Sequence, residues 1–140
     1  MSKIYLDVHV PGVIKLPDKM CMDSYIYSEK FFREIFPQHK YKAYTCWSWL
    51  LDPEFKLILK PDSNILKFQS RYRLFNASKQ GGGIFDNVFP GFEKNDTKNF
   101  PRDTSLRRVI AENIENGWIF DGSFGYFLLS DFEKYKAEPF

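Results

Sequence analysis

The stretch YKAYTCWSW, residues 41–49, carries no charge after Lys42 and consists largely of aromatic and β-favouring residues. A run of this kind reads as a buried, central strand, because a half-exposed strand alternates apolar with polar side chains. With a side-chain period of two, Cys46 and Ser48 share one face and Trp47 and Trp49 the other. The next residues, LDPEFKLIL, predict a short helix with Asp52 as its cap and Pro53 in the first helical position. Leu57 and Ile58 are its expected anchors, and Lys60 and Pro61 close it.

The rest of the chain arranges itself around that strand. KIYLDVHVP, residues 3–11, places Ile4, Leu6, Val8 and Val10 on one face and Tyr5, Asp7 and His9 on the other, and Pro11 and Gly12 end it. Asp23 or Ser24 caps a helix running to about Phe36, with Tyr25, Phe32, Ile35 and Phe36 on its apolar side and Pro37 as its stop. NILKFQSRYRLF, residues 64–75, alternates Leu66, Phe68, Ser70, Tyr72 and Leu74 with Lys67, Gln69, Arg71 and Arg73, which predicts a third strand. NASKQGGG then reads as the tip of an antiparallel hairpin whose second arm is IFDNVF. After a loop, Asp103 or Thr104 caps a helix bearing Leu106, Val109, Ile110, Asn113 and Ile114, and Gly117 ends it. WIFDGSFGYFLL predicts a last strand or hairpin, and SDFEKYKAEPF a frayed tail.

Length and composition limit what such a chain does. One domain of 140 residues buries about two-thirds of its unfolded surface, and 15 Phe, 8 Tyr and 3 Trp make large rigid side chains dominate its core. A net charge of +2 is too small to predict nucleic-acid or membrane binding as a bulk property. Cys21 and Cys46 form neither a disulfide framework nor a zinc spacing, and with no signal peptide or long apolar span the expected compartment is the cytoplasm.

Several residues carry chemistry that either structure or function explains. His9 stands beside Asp7 on the polar side of the first strand; an imidazole titrates near neutral pH, so it suits a general base for an amine, or a hydrogen bond within the strand. Cys46 acts as a nucleophile only where a base or helix N-terminus lowers its pKa, and the Asp52 helix begins several residues later; a buried inert thiol is the alternative. Lys67, Arg71 and Arg73 form either a basic stripe for an anion or a solvated sheet face. KQGGG lacks the strand-to-helix context of a phosphate loop. Arg107 and Arg108 are expected to be exposed at a helix start.

Four blocks carry a family resemblance: HVPG at 9–12, CWSWLLDPEF at 46–55, LKPDSNILKFQSRYRLF at 59–75 and FPRDTSLRR at 100–108. Together they resemble the GNAT-like C-terminal domain of bacterial acyltransferase-domain proteins, within the GNAT superfamily of acyl-CoA N-acyltransferases. The resemblance implies an α/β (α+β) domain over residues 1–140, with a mixed, mostly antiparallel sheet of about five strands packed by about three helices. It implies transfer of an acyl group, most simply acetyl, from acetyl-CoA or another acyl-CoA to an amine acceptor. Backbone around Val8 and Val10 would meet the pantetheine, and Gly12, Val13, Lys15 and Lys19 of the next loop would meet the phosphates. His9 would be the base, and Cys46 or Ser48 would face the thiol. The loop departs from the superfamily's Gln or Arg followed by closely spaced glycines, and DPEFKLIL lacks the tyrosine that many members keep as general acid. A counterpart of the superfamily's first half is also missing, so the chain is expected to be a fragment that pairs with an N-terminal half domain or a second copy. A non-catalytic association module is the competing expectation.

Overall fold

The computed structural model describes residues 5–12, 15–75 and 82–137. The chain order is β1 (Tyr5–Asp7), α1 (Asp18–Ile35), β2 (Ala43–Ser48), a 3-10 turn (Trp49–Leu51), α2 (Phe55–Ile58), α3 (Asn64–Ser70), β3 (Arg73–Leu74) and α4 (Gly82–Val88). It continues through a second 3-10 turn (Thr97–Asn99), α5 (Ser105–Glu115), β4 (Ser123–Leu128) and α6 (Leu129–Ala137). The strands lie in the order β1-β2-β4-β3. β1 runs parallel to β2, while β4 is antiparallel to both β2 and β3. The sheet is therefore mixed and mostly antiparallel, as expected, with four strands among the described residues and more helices than the sequence suggested.

Helix α1 begins at Asp18, five residues before the expected cap. Its start after Pro17 puts the Asp18 carboxylate in the first turn, where the helix dipole favours a negative charge. Tyr25 is its buried residue, whereas Ile35, expected on the apolar side, is 56% exposed. In α2 the main anchor is Phe55, fully buried; Ile58 packs against the core as expected, whereas Leu57 is 75% exposed. Asp52 and Pro53 precede α2 rather than starting it, since the helix begins at Phe55 after Glu54; Asp52 Oδ1 accepts the Glu54 N–H at 2.9 Å in the turn between, and its Oδ2 accepts the Asp121 N–H at 2.5 Å. Burial raises the Asp52 pKa, against the lowering effect of these two bonds.

The strand and hairpin predicted for residues 64–89 do not form. Ile65, Phe68, Gln69 and Tyr72 are buried there at i, i+3, i+4 and i+7, so a helix gathers them on one side where a strand would divide them. Ser63 caps α3 by accepting the Leu66 N–H at 3.3 Å, and only Arg73 and Leu74 remain extended. IFDNVF is helical for the same reason, burying Ile84 and Val88 at i and i+4. The segment expected at the hairpin tip lies largely outside the described residues. The C-terminal stretch, read as frayed, forms α6 and buries Phe132 completely. Helix α5 follows expectation: Thr104 accepts the Arg107 N–H at 3.2 Å, Ile110 and Ala111 are buried, and Gly117 terminates it at φ 85°.

Helices α1, α3 and α6 share one face of the sheet. There the Tyr25 ring lies 5.2 Å from both Tyr44 and Phe127, and Tyr72 lies 5.0 Å from Phe127. Close approach is possible because β4 carries Gly125 here; a Cβ at that position would stand 3.0 Å from the Tyr72 Cβ. Arg71, expected on an exposed basic stripe, is buried in this layer, bonded to the Asp18 carboxylate and to the Lys67 carbonyl. Arg73 alone keeps the outer position, paired with Asp131 at 3.1 Å. The opposite face carries Trp47 (64% exposed), Phe75 (52%), Phe124 and Tyr5, largely open to solvent. No helix among the described residues is long and apolar enough to cross a membrane.

Candidate functional site

The site begins where two parallel strands part. β1 and β2 pair from Tyr5↔Ala43 to Asp7↔Thr45, and the Val8 N–H adds a bond to the Thr45 carbonyl at 2.7 Å. Beyond Thr45, β2 keeps its partners on β4, with Cys46 opposite Gly125 and Ser48 opposite Ser123, and then turns at Trp49. The chain leaving Val8 goes elsewhere, through Pro11 and Gly12 toward α1. A cleft of about 250 Å³ lies past the strand ends, walled by the chain that leaves β1 and by the turn that follows β2. Val10, Gly12, Lys15 and Leu16 line one side, and Trp49, Leu50 and Ile65 the other.

Polar residues line it as well. Asn64 comes from α3, Asn87 from α4, and Thr104 and Arg107 from the start of α5. Arg107 is not the free surface cation that the sequence suggested. Its Nε donates to the Val88 carbonyl at 3.0 Å and its guanidinium meets the Asp103 carboxylate at 2.9 Å, which holds that carboxyl below the usual range. Gly12 approaches α4 so closely that a Cβ there would lie 3.1 Å from Asn87 Oδ1.

The expected site residues divide into two groups. Val8, His9, Val10, Gly12 and Lys15 gather around the parting strands. His9 Nε2 lies 3.2 Å from Asp7 Oδ2, and Asp7 Oδ1 accepts the Thr45 hydroxyl at 3.2 Å, so the imidazole stands beside an anchored carboxylate at an exposed position. Val13 lies outside the described residues. Lys19 is engaged with Asp23 at 2.6 Å on the surface of α1, away from the cleft walls. Cys46 is completely buried, and burial pushes its thiol up to about 12. Ser48 accepts the Leu50 N–H at 3.2 Å and caps the turn at Trp49–Leu51. Neither Cys46 nor Ser48 lines the cleft.

Residues 1–127 match the family described as the GNAT-like C-terminal domain. The chain belongs to that family. Solved structures agree with the assignment. An acyltransferase in complex with decanoyl-CoA and teicoplanin is 26% identical and superposes with a TM-score of 0.77, covering 89% of this chain and 41% of that one. An acyltransferase in complex with CoA and 10C-teicoplanin gives 25% identity at the same TM-score and coverage. A third, with decanoyl-CoA, is 28% identical with a TM-score of 0.77, over 88% of this chain and 39% of its own. The chain thus spans about two-fifths of the length of these structures. No match to a curated protein was found.

Within this GNAT-like C-terminal domain, sequence reading missed Trp49, Asn87 and Arg107 as walls of the cleft. Trp49 was available in principle as the residue where a buried strand gives way to a turn. Asn87 was hidden by the reading of IFDNVF as a strand, which gave α4 no place near Gly12. Among the described residues there is no cluster of His, Cys, Asp and Glu able to hold a metal ion.

Proposed function

We propose that this chain is the CoA-binding part of an acyl-CoA-dependent acyltransferase that acylates an amine. The observation that carries the reading is the parting of β1 and β2 after the Val8–Thr45 bond, with a cleft opening along the chain that leaves Val8. Parallel strands that diverge leave backbone groups with no ladder partner, and an amide-containing thread such as pantetheine satisfies them. The walls fit such a ligand. Val10, Leu16, Trp49 and Leu50 offer apolar contact to its methylenes, Gly12 lets the backbone come close, and Lys15 supplies positive charge for phosphate. The related solved structures hold CoA or decanoyl-CoA, which supports the same ligand class here.

In the proposed reaction the acceptor nitrogen attacks the thioester carbonyl, a C–N bond forms and the C–S bond breaks. The amine proton passes to His9, which Asp7 orients, and CoA leaves as a thiolate that takes a proton from solvent. Cys46 has no part in this scheme, because a thiol held un-ionised by burial is a poor nucleophile. Calorimetric titration with acetyl-CoA tests the reading: saturable binding is expected, and an absence of heat at millimolar ligand overturns it.

The second reading, association, is favoured by the open sheet face around Trp47, Phe75 and Phe124. Combined with the coverage of about two-fifths of the related structures, it supports an acceptor-binding half packed elsewhere on this domain. Sedimentation across a wide concentration range checks self-association: a dimer supports a second copy as the partner, and a strict monomer eliminates it.

A further inference from the structure

We infer that the outer side of α1 docks a second copy of this chain, the two helices packing antiparallel about a two-fold axis. Helix α1 buries Tyr25 on its inner side, yet Met20, Tyr27, Phe31 and Ile35 are exposed along the outer one, Tyr27 by 70%. Met20, Ser24, Tyr27 and Phe31 follow one another at steps of four, three and four residues, the spacing of a helix-packing seam. The Tyr27 and Phe31 rings already stack on each other at 6.3 Å. A helix that is apolar on two sides is one that is covered on two sides. No residue of α1 lines the cleft, so the inference stands apart from the CoA reading.

The charges beside the seam select the occupant and its direction. Lys19, Asp23, Lys30 and Glu34 are exposed along one flank, so their signs read plus, minus, plus, minus from one end of the helix to the other. In a parallel pair each would face its own copy, like against like. An antiparallel pair sets Met20 on the partner's Phe31 and Ser24 on the partner's Tyr27, where a small side chain leaves room for a ring. In that same register Asp23 comes beside the partner's Lys30 and Lys19 beside the partner's Glu34, each about 3 Å apart along the axis. Asp23 also meets Lys19 of its own helix at 2.6 Å, and a carboxylate has acceptor sites for both cations. The two-fold axis repeats every contact, so one patch serves as both halves of the interface. The seam from Met20 to Phe31 is only about 16 Å long, which makes the dimer weak and dependent on concentration.

Sedimentation velocity of the wild-type chain from micromolar to millimolar concentration tests this, and a reversible monomer–dimer equilibrium is expected. Tyr27→Glu, at a residue that supports no core, is expected to leave the chain monomeric with an unchanged circular dichroism spectrum. Asp23→Lys and Lys30→Asp each place like charges at two symmetry-related contacts and should weaken the dimer at least about tenfold. Mixing these two variants should restore it, because opposite signs then meet at both contacts. A wild-type chain that stays monomeric at millimolar concentration overturns the inference. So does a mixture that associates no better than either variant alone, or a dimer that survives the α1 variants and is lost in Trp47→Ser on the open sheet face. Titration of the same samples with CoA reads the proposed function separately.

Discussion

At the scale of single residues, burial decides what each reactive group can do. Cys46 sits opposite Gly125 with no exposed surface, and burial favours its neutral thiol over the thiolate. Its pKa is raised from 9.0 to about 12, so the stability it contributes is fully present below about pH 9 and is lost as pH rises toward about 12. Burial pushes the Tyr25 and Tyr72 hydroxyls upward too, adding to the same alkaline loss. Cys46 should therefore resist a thiol reagent at neutral pH until the chain unfolds, while half-buried Cys21 reacts first; fast modification of Cys46 in the folded protein would contradict this placement. Arg71 makes a second case. Its buried guanidinium rests on the Asp18 carboxylate, which ties α3 to the first turn of α1. Removing one member of a buried ion pair leaves the other uncompensated, so Asp18→Ala should cost about 3–5 kcal/mol in urea unfolding.

Elements show what the sequence made legible and where it misled. β2 was readable as a central strand, though Trp47 leaves its outer face open and Trp49 turns away into the following 3-10 turn, and α5 was readable because its cap, its apolar period and Gly117 agree. Residues 64–75 misled because their pattern satisfies two periods at once. Phe68 and Tyr72 share a strand face in one reading, yet with Ile65 and Gln69 they also form a helical stripe, and the Ser63 cap tips the choice to helix. The parting of β1 from β2 was not legible in the side-chain pattern. Side-chain pattern says which residues face the core and nothing about where two ladders separate, so Val8 and Gly12 were legible as site residues while Trp49, Asn87 and Arg107 were not. Packing between elements also sets a test. A Cβ on Gly125 would press on Tyr72, Leu51 and Leu74 at 3.0–3.1 Å, so Gly125→Ala should destabilise the fold by about 1–3 kcal/mol. Ser63→Ala, which removes only a cap, should cost about 1 kcal/mol. A loss well below about 1 kcal/mol for Gly125→Ala would show that Tyr72, Leu51 and Leu74 pack less tightly on β4 than described.

On the scale of the whole molecule, the domain has a packed side and an open one. Helices cover the sheet face of Tyr44, Cys46 and Phe127, and the cleft opens beside them where β1 departs. Trp47, Phe75 and Phe124 remain on the other face, open to solvent. The most direct test of the central claim is amide NMR of the chain titrated with CoA. The account predicts that resonances of residues 8–12, Lys15, Leu16, Trp49 and Leu50 shift together with one saturation curve. Shifts confined to Trp47, Phe75 and Phe124 on the open face, with residues 8–16 unmoved, would contradict it.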